Sequence, residues 1–273
     1  MGECEMTRLS SIIKTFEADF LAKYQQQVLP SHKKALSRMA ICRTAESPKM
    51  LAGCPACEHQ SLVPHSCGHR NCPHCQAHEG QRWLTRQLSK ELPVGYFLIT
   101  FTLPAQFRSL VWRNQRTLYS CMMRCAWETV RDFTQNDKQL KGAAGATLVL
   151  HTHTRALDYH PHVHLLMPAA AVDTSRRLWR EKRSRGKRHY LFSHRALAKV
   201  FRAKMLEAIT EAGLLLPKQH PTTWIVDCKA VGSGRKALIY LGRYLYRGVI
   251  QEKDIIACKD GQVTWSNSLA QPS

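Results

Sequence analysis

The segment YHPHVHLLMP (159–168) sets His160, His162 and His164 at alternate positions among apolar residues. In a strand, residues two apart share a face. The spacing therefore predicts three imidazoles on one side, with Val163, Leu165 and Met167 turned into the core. Two imidazoles at i and i+2 can hold one divalent metal from a sheet face, and a third ligand must then come from a neighbour. The segment GATLVLHTHT (145–154), read as the other strand of a hairpin, offers His151 and His153. Imidazole suits Zn, Mn, Fe or Ni by softness. A site with few protein ligands and open positions also takes Mg²⁺ or Mn²⁺, through water and substrate phosphate. Such an ion acts as a Lewis acid on a phosphoryl oxygen. A plain solvent-facing histidine row is the competing reading; two adjacent histidine-bearing strands in a very basic chain weigh against it.

Cysteine spacing points to a second metal. Five of the eleven cysteines fall between Cys54 and Cys75, in C54-P-A-C57 and then H65-S-C67-G-H69-R-N-C72-P-H-C75. Two Cys-x-x-Cys knuckles separated by a loop place four thiolates around Zn²⁺, as in a zinc ribbon. Cys54, Cys57, Cys72 and Cys75 are the expected ligands. Cys67 and His65, with Cys42, either complete a second site or replace one of the four. Cys4, Cys121, Cys125, Cys228 and Cys258 are scattered and read as ordinary thiols.

A nucleophile is the third element. In ALIYLGRYLYRG (237–248), Leu238, Leu241 and Leu245 form an apolar stripe at helical spacing. Tyr240, Tyr244 and Arg247 lie on the opposite side, with Arg243 beside them. Tyrosines placed away from the core and next to cations are suited to phenolate and phosphate chemistry; the competing reading is an ordinary polar face. Tyr246 falls on another face and reads as structural.

The elements that must position these groups follow from pattern. Residues 11–40 read as helical with a break at Pro30, and 42–78 as a small module that needs metal to fold. A helix is expected over 79–92, a buried strand over 93–105 and a long helical stretch over 106–133. Beyond the hairpin come the basic run RRLWREKRSRGKR (176–188), a helix over 193–213, a strand over 222–231 and a helix from Arg235. DIIAC (254–258) and QVTWS (262–266) are short strands around a turn. Strands joined by both hairpin and helical connections predict an α+β fold with a largely antiparallel sheet. The expected domains are 1–92, an N-terminal helix and zinc-binding module, and 93–273, the catalytic domain.

Composition narrows the partner. A chain of 273 residues with formal net charge +20 attracts polyanions, nucleic acid first among them. Arg183, Arg185, Lys187 and Arg188 form a candidate strand-binding element, against the reading of a solvated loop. No apolar run approaches the length of a spanning helix, and the N-terminus lacks the apolar core of a signal peptide. Membrane partners are not expected, and the reduced cysteines suit a cytosolic, nucleoid-associated protein.

Together these residues resemble the HUH endonucleases, named for His-hydrophobic-His, here His162-Val163-His164. More narrowly the chain is similar to the rolling-circle transposases of the insertion sequence 91 family. FTLP (101–104) resembles that family's first-strand motif, HPHVH (160–164) its metal motif, and YLGRY (240–244) its two-tyrosine motif; CRT…CPAC…HSCGHRNCPHCQ resembles its zinc-binding domain. The resemblance implies an HUH-type antiparallel sheet with packed helices behind a zinc-ribbon-like module. It also implies Mg²⁺- or Mn²⁺-dependent cleavage of single-stranded DNA at transposon ends and target. In that chemistry Tyr240 and Tyr244 form 5′-phosphotyrosine links, and Arg243 and Arg247 contact DNA. By resemblance to related relaxases His151 is the third metal ligand, with His160 its rival. A plasmid initiator or relaxase shares this chemistry, and a non-catalytic zinc-ribbon DNA binder explains the charge and cysteines but not the histidines and tyrosines. Family members usually continue well beyond the tyrosine helix, so this chain, ending at Ser273, is expected to be shortened there and to retain at most cleavage.

Overall fold

The computed structural model describes residues 8–154, 158–182, 190–245 and 254–266. In chain order these form α1 (Leu9–Tyr24), α2 (Pro30–Ala40), β1 (Lys49–Gly53), β2 (Gln60–Pro64) and α3 (Pro73–Leu88). There follow β3 (Tyr96–Thr102), α4 (Arg108–Arg113), α5 (Gln115–Asn136), β4 (Thr147–His153) and β5 (Tyr159–Pro168). The rest are β6 (Ala170–Asp173), β7 (Leu178–Glu181), α6 (His194–Glu211), β8 (Val226–Ala230), α7 (Arg235–Leu245), β9 (Ile255–Lys259) and β10 (Gln262–Trp265). They divide between two compact units, Leu84–Gly242 and a second comprising Met1–Trp83 with Arg243–Ser273.

Within Leu84–Gly242, a four-stranded sheet runs in the order β4-β5-β3-β8, and each neighbouring pair is antiparallel. The α+β expectation is what the chain adopts. β5 lies inside the sheet and is buried from Val163 onward, His164 included. One face of the sheet is the core. Phe97, Ile99 and Phe101 of β3, Val163, Leu165 and Met167 of β5, and Val226 and Cys228 of β8 meet the apolar stripes of two helices. α5 contributes Leu118, Met122 and Val130, and α6 contributes Leu197, Phe201, Met205 and Ile209. Phe201 sits 4.8 Å from Phe101 and 5.8 Å from Trp224, ring to ring. Each such side chain contributes about 1.5–3 kcal/mol by leaving water, so the helices are held against this face and the other is left for chemistry.

Two elements depart from the sequence pattern. The helical stretch expected over 106–133 is broken at Asn114, which leaves helical dihedrals and donates from Nδ2 to the Leu110 carbonyl; α4 and α5 are separate helices. The basic run is not all loop, because β6 and β7 pair as a hairpin with Arg176 and Arg177 in its turn. Asp173 organises that turn. It accepts from the Arg180 guanidinium, the Ser175 hydroxyl and the Arg176 backbone N–H, contacts that pull its pKa down to about 2.

In the other unit, Pro30 opens α2 at its first position, where a missing N–H costs nothing. β1 and β2 pair in register from Lys49↔Pro64 to Gly53↔Gln60. β9 and β10 form a second hairpin whose turn residues Asp260 and Gly261 have φ of 50° and 74°, as a tight hairpin with right-handed twist requires. Among the described residues no helix is long and apolar enough to cross a membrane.

The start of α7 is fixed by one close approach. Gly232 and Val231 exchange backbone hydrogen bonds with Tyr96 on β3, and Gly234 follows with φ +81°. A Cβ on Gly234 would lie 2.7 Å from Cγ of the Tyr96 ring. Glycine alone satisfies both the dihedral and the contact. Gly234→Ala should therefore cost on the order of 1–3 kcal/mol and lower the Tm by several degrees in a thermal melt. An unchanged Tm would show that Tyr96 and the turn yield freely.

Candidate functional site

The face of the sheet opposite the core carries the histidines. Register places His162 opposite both Thr102 of β3 and His151 of β4, and His164 opposite Thr100 and Val149. Directly opposed residues of an antiparallel pair share a face, so His151, His162 and His164 converge. Their ligand atoms all lie within 4.8 Å of one another. The rings stand edge to face, with centroids 4.5 Å apart for His151–His164 and 4.8 Å for His162–His164. His160 lies outside that group, 5.3 Å from His162 ring to ring. His153 is exposed and pairs across to Tyr159.

Hydrogen bonds set the tautomers. The Nδ1 of His162 is 2.7 Å from the His160 carbonyl, which can only accept, so this nitrogen carries the proton and Nε2 keeps its lone pair. The Nδ1 of His164 is 3.0 Å from the Thr100 hydroxyl; donating there leaves its Nε2 free to ligate in the same way. Such outer contacts orient imidazoles toward a metal and raise their basicity. His160 is set oppositely. A guanidinium N–H of Arg108 points at its Nδ1 from 2.8 Å, and since Arg only donates, that lone pair is already used. Neither Thr100 nor Arg108 was singled out by sequence reasoning. A polar Thr-x-Thr alternation within FLITFT was the available signal for Thr100; Arg108 reaches His160 by tertiary packing and left none.

Burial keeps the cluster neutral. It pushes the His151 pKa down to about 3, helped by the charges His164 and His162 would carry, and His164 down to about 4 with His162 as the second cause. His162 is lowered by burial against the opposing pull of the His160 carbonyl. Neutral imidazoles are the ligating form, so a cation could bind at neutral pH without first displacing protons.

α7 brings Tyr240 to the same face. Its ring centroid is 6.0 Å from His164 and 6.3 Å from His151, while Leu238 and Leu241 on the other side of the helix are buried. The side chains of Arg243 and Tyr244 lie outside the described residues, as do Arg247 and Tyr246 and the basic residues Arg183, Arg185, Lys187 and Arg188.

The cysteines assemble differently from the expected quartet. Cys42, Cys67, Cys72 and Cys75 converge, whereas Cys54 and Cys57 are exposed on the loop joining β1 to β2. The hairpin is the physical reason: Gly53 pairs with Gln60, and Cys54 N–H closes the loop onto the His59 carbonyl, carrying the first knuckle to the tip. Cys42, two residues beyond α2, takes its place, and Cys67 joins it. Sulfur separations are 3.6 Å for Cys42–Cys75, 3.5 Å for Cys67–Cys75 and 3.6 Å for Cys72–Cys42. Four thiolates at about 2.3 Å from Zn²⁺ would be about 3.8 Å apart, so the set fits the ion. Burial pushes Cys67 up to about 11 and raises Cys72 as well. Cys75 is lowered, its burial outweighed by hydrogen bonds from Cys67 and the Gly68 backbone, whereas Cys67 and Cys72 need a cation at the centre to be held as thiolates.

Two outcomes follow from these clusters. Cys42→Ser should strip this zinc as completely as Cys72→Ser, measured as zinc content of the purified protein, while Cys54→Ser and Cys57→Ser leave that ion bound. Retention by Cys42→Ser would dismiss the assembled quartet. The histidine cluster gives a pH dependence: its pKa values are depressed on folding from about 6.5, so the unfolded chain binds more protons below that pH. Stability is then fully present above about pH 6.5 and lost as pH falls toward about 4. In chelator-treated protein the urea midpoint should fall over that window, and less so in His164→Gln; parallel curves would rule the cluster out as the cause.

Comparisons with known proteins point to transposases. The family model described as "Transposase zinc-binding domain" matches residues 12–103, and the one described as "Putative transposase" matches residues 145–269. A Sinorhizobium fredii protein named "Putative transposase y4qJ" is 26% identical over 275 residues, covering 90% of this chain and 68% of its own length. The transposase for insertion sequence element IS801 of Pseudomonas savastanoi pv. phaseolicola is 27% identical over 227 residues, covering 78% of this chain and 54% of its own length. The chain thus spans about two thirds and about half of the lengths of these relatives. Among solved structures, the conjugative relaxase TrwC in complex with mutant oriT DNA aligns at 15% identity over 47% of this chain and 48% of that chain, with a TM-score of 0.34. With the zinc-binding and transposase matches in succession along it, the chain belongs to the insertion sequence 91 family of transposases.

Proposed function

We propose that this transposase cleaves and rejoins single-stranded DNA at transposon ends and target, with Tyr240 as a nucleophile and a divalent metal held by His151, His162 and His164. The observation that carries the reading is the convergence of three imidazoles, His151 and His164 buried and His162 half-buried, with a tyrosine ring 6.0 Å from His164. A bound Mg²⁺ or Mn²⁺ would supply Lewis-acid polarisation of a phosphoryl oxygen. His162 presents Nε2 because the His160 carbonyl holds its Nδ1 proton, and His164 does the same when its Nδ1 donates to the Thr100 hydroxyl. His151 serves as third ligand in preference to His160, whose Nδ1 is engaged by Arg108.

The Tyr240 oxygen attacks phosphorus in line, the bond to the 3′ oxygen breaks, and the phenolic proton passes to solvent as that oxygen becomes a 3′-hydroxyl. The DNA 5′ phosphate is then esterified to tyrosine, which conserves the free energy for rejoining to a second strand. Tyr244, one turn on, is the second nucleophile of this reading. Its partner is single-stranded DNA, attracted by the chain's charge of +20, and its setting is the bacterial cytosol.

The test is covalent capture. Incubated with Mg²⁺ or Mn²⁺ and single-stranded oligonucleotides from an element end, the protein should form an adduct that survives denaturing electrophoresis. Tyr240→Phe combined with Tyr244→Phe should abolish it, and His162→Ala should reduce its rate by about a thousandfold or more while single-strand binding persists. An adduct that survives in the double tyrosine variant, or in chelator, would overturn the proposal.

A further inference from the structure

Arg108 and Trp112 lie one helical turn apart on α4, Arg108 against His160 and Trp112 against Tyr159, both outside the ligand group. Arg108 is a half-buried guanidinium that meets the neutral His160, and among the described residues no carboxylate pairs with it. Its Nε is buried with no hydrogen-bond acceptor. A cation short of acceptors and of counter-charge is a site for an anion. Trp112 is 57% exposed, and its ring meets Tyr159 edge-on, centroids 4.9 Å apart at 81°. Tyr159 in turn is anchored by a 2.9 Å hydrogen bond between its hydroxyl and that of Tyr119, so the indole is braced from one side and open on the other.

The two contacts fall on consecutive residues of β5, Tyr159 and His160, and His162 follows on the same strand. At about 3.3 Å per residue these positions span about 10 Å. The contacts of the stackable ring, the phosphate-seeking cation and the histidine cluster therefore follow in that order along β5, at a spacing that successive groups of a nucleotide chain can span. Base stacking on an aromatic ring and phosphate pairing with Arg are how single strands are held without reading sequence.

We propose that Arg108 and Trp112 form a nucleotide subsite flanking the scissile phosphate, Arg108 holding an adjacent backbone phosphate and Trp112 stacking on its base. The subsite rests on the single-strand reading above and extends it by naming the residues that seat the strand. Both are positioning residues; neither takes part in bond making.

Binding of a fluorescein-labelled oligothymidylate to the full chain, followed by anisotropy in chelator across a salt series, tests this without any cleavage. Trp112→Ala should bind roughly five- to 150-fold more weakly, the range for losing one stacked base. Trp112→Phe, which keeps a ring against Tyr159, should recover most of that loss, a rescue that an unfolded variant would not explain. Arg108→Gln should lower the slope of log affinity against log salt by about 0.7, one phosphate's worth on a single strand. Wild-type affinity and slope in both Trp112→Ala and Arg108→Gln would overturn the subsite, even if wild-type protein forms the tyrosine adduct. Weakened binding as described, with no adduct ever detected, would keep the subsite and remove the cleavage reading instead.

Discussion

Everything on the histidine face depends on the register of β5. His162 and His164 alternate with Val163 and Leu165, and the latter two are fully buried against α5 and α6. A slip of one residue against β3 would turn both imidazoles into the core and both aliphatic side chains out. That exchange buries two polar rings without partners and loses several kcal/mol of apolar burial. The core therefore enforces the site. The same pairing delivers Thr100 from β3 and His151 from β4, since each is the cross-strand neighbour, direct or one step along, of a β5 histidine. α7 is tied to the same sheet through Tyr96 and Gly234, which is why Tyr240 arrives at the same place.

Both clusters obey one electrostatic rule. Burial disfavours charge, so the buried imidazoles are held neutral and the Cys67 and Cys72 thiols protonated. The consequences differ because the ligating forms differ. Neutral imidazole ligates as it stands, whereas thiol must first lose its proton, and the cost of four thiolates packed at 3.5–3.6 Å is offset only by a cation among them. Metal in the cysteine cluster is thus coupled to folding of its module, while the histidine face is built by the sheet whether or not an ion is bound.

Legibility from sequence followed the range of the interaction involved. The alternation in HPHVHLLM and the helical spacing of α7 are local, and the described residues follow them: His162 and His164 face away from Val163 and Leu165, and Leu238 and Leu241 are buried while Tyr240 meets His164. The pairing of β4 with β5 was readable because a short polar turn joins them. Cys42 was harder. Cys-x-x-Cys spacing favours both knuckles equally, and only the β1–β2 register, which sends Cys54 and Cys57 to a hairpin tip, separates them. The β6–β7 hairpin was hidden because charge dominated its composition, although Asp173 and Ser175 are ordinary turn residues. Arg108 and Thr100 act on histidines more than fifty residues away, 52 and 64 along the chain, and no period or motif records such a contact.

The contrast in closure between the clusters says what each is suited to. Four cysteines complete a tetrahedron around Zn²⁺ and leave no position for substrate, the arrangement of a structural site. Three imidazoles on one face of a sheet leave the other side of any bound ion open, and a hard cation there fills its remaining positions with oxygen, from water or phosphate. An open side is useful only if something orders the group that enters. On this face the ordering groups arise from helices, not from the sheet: Tyr240 from α7 and Arg108 from α4. On the proposed reading the sheet would supply rigid ligands and the helices the groups that meet substrate. Under that reading, changes in α4 or α7 would alter which strand is accepted while the arrangement of histidines set by β4, β5 and β3 stays as it is.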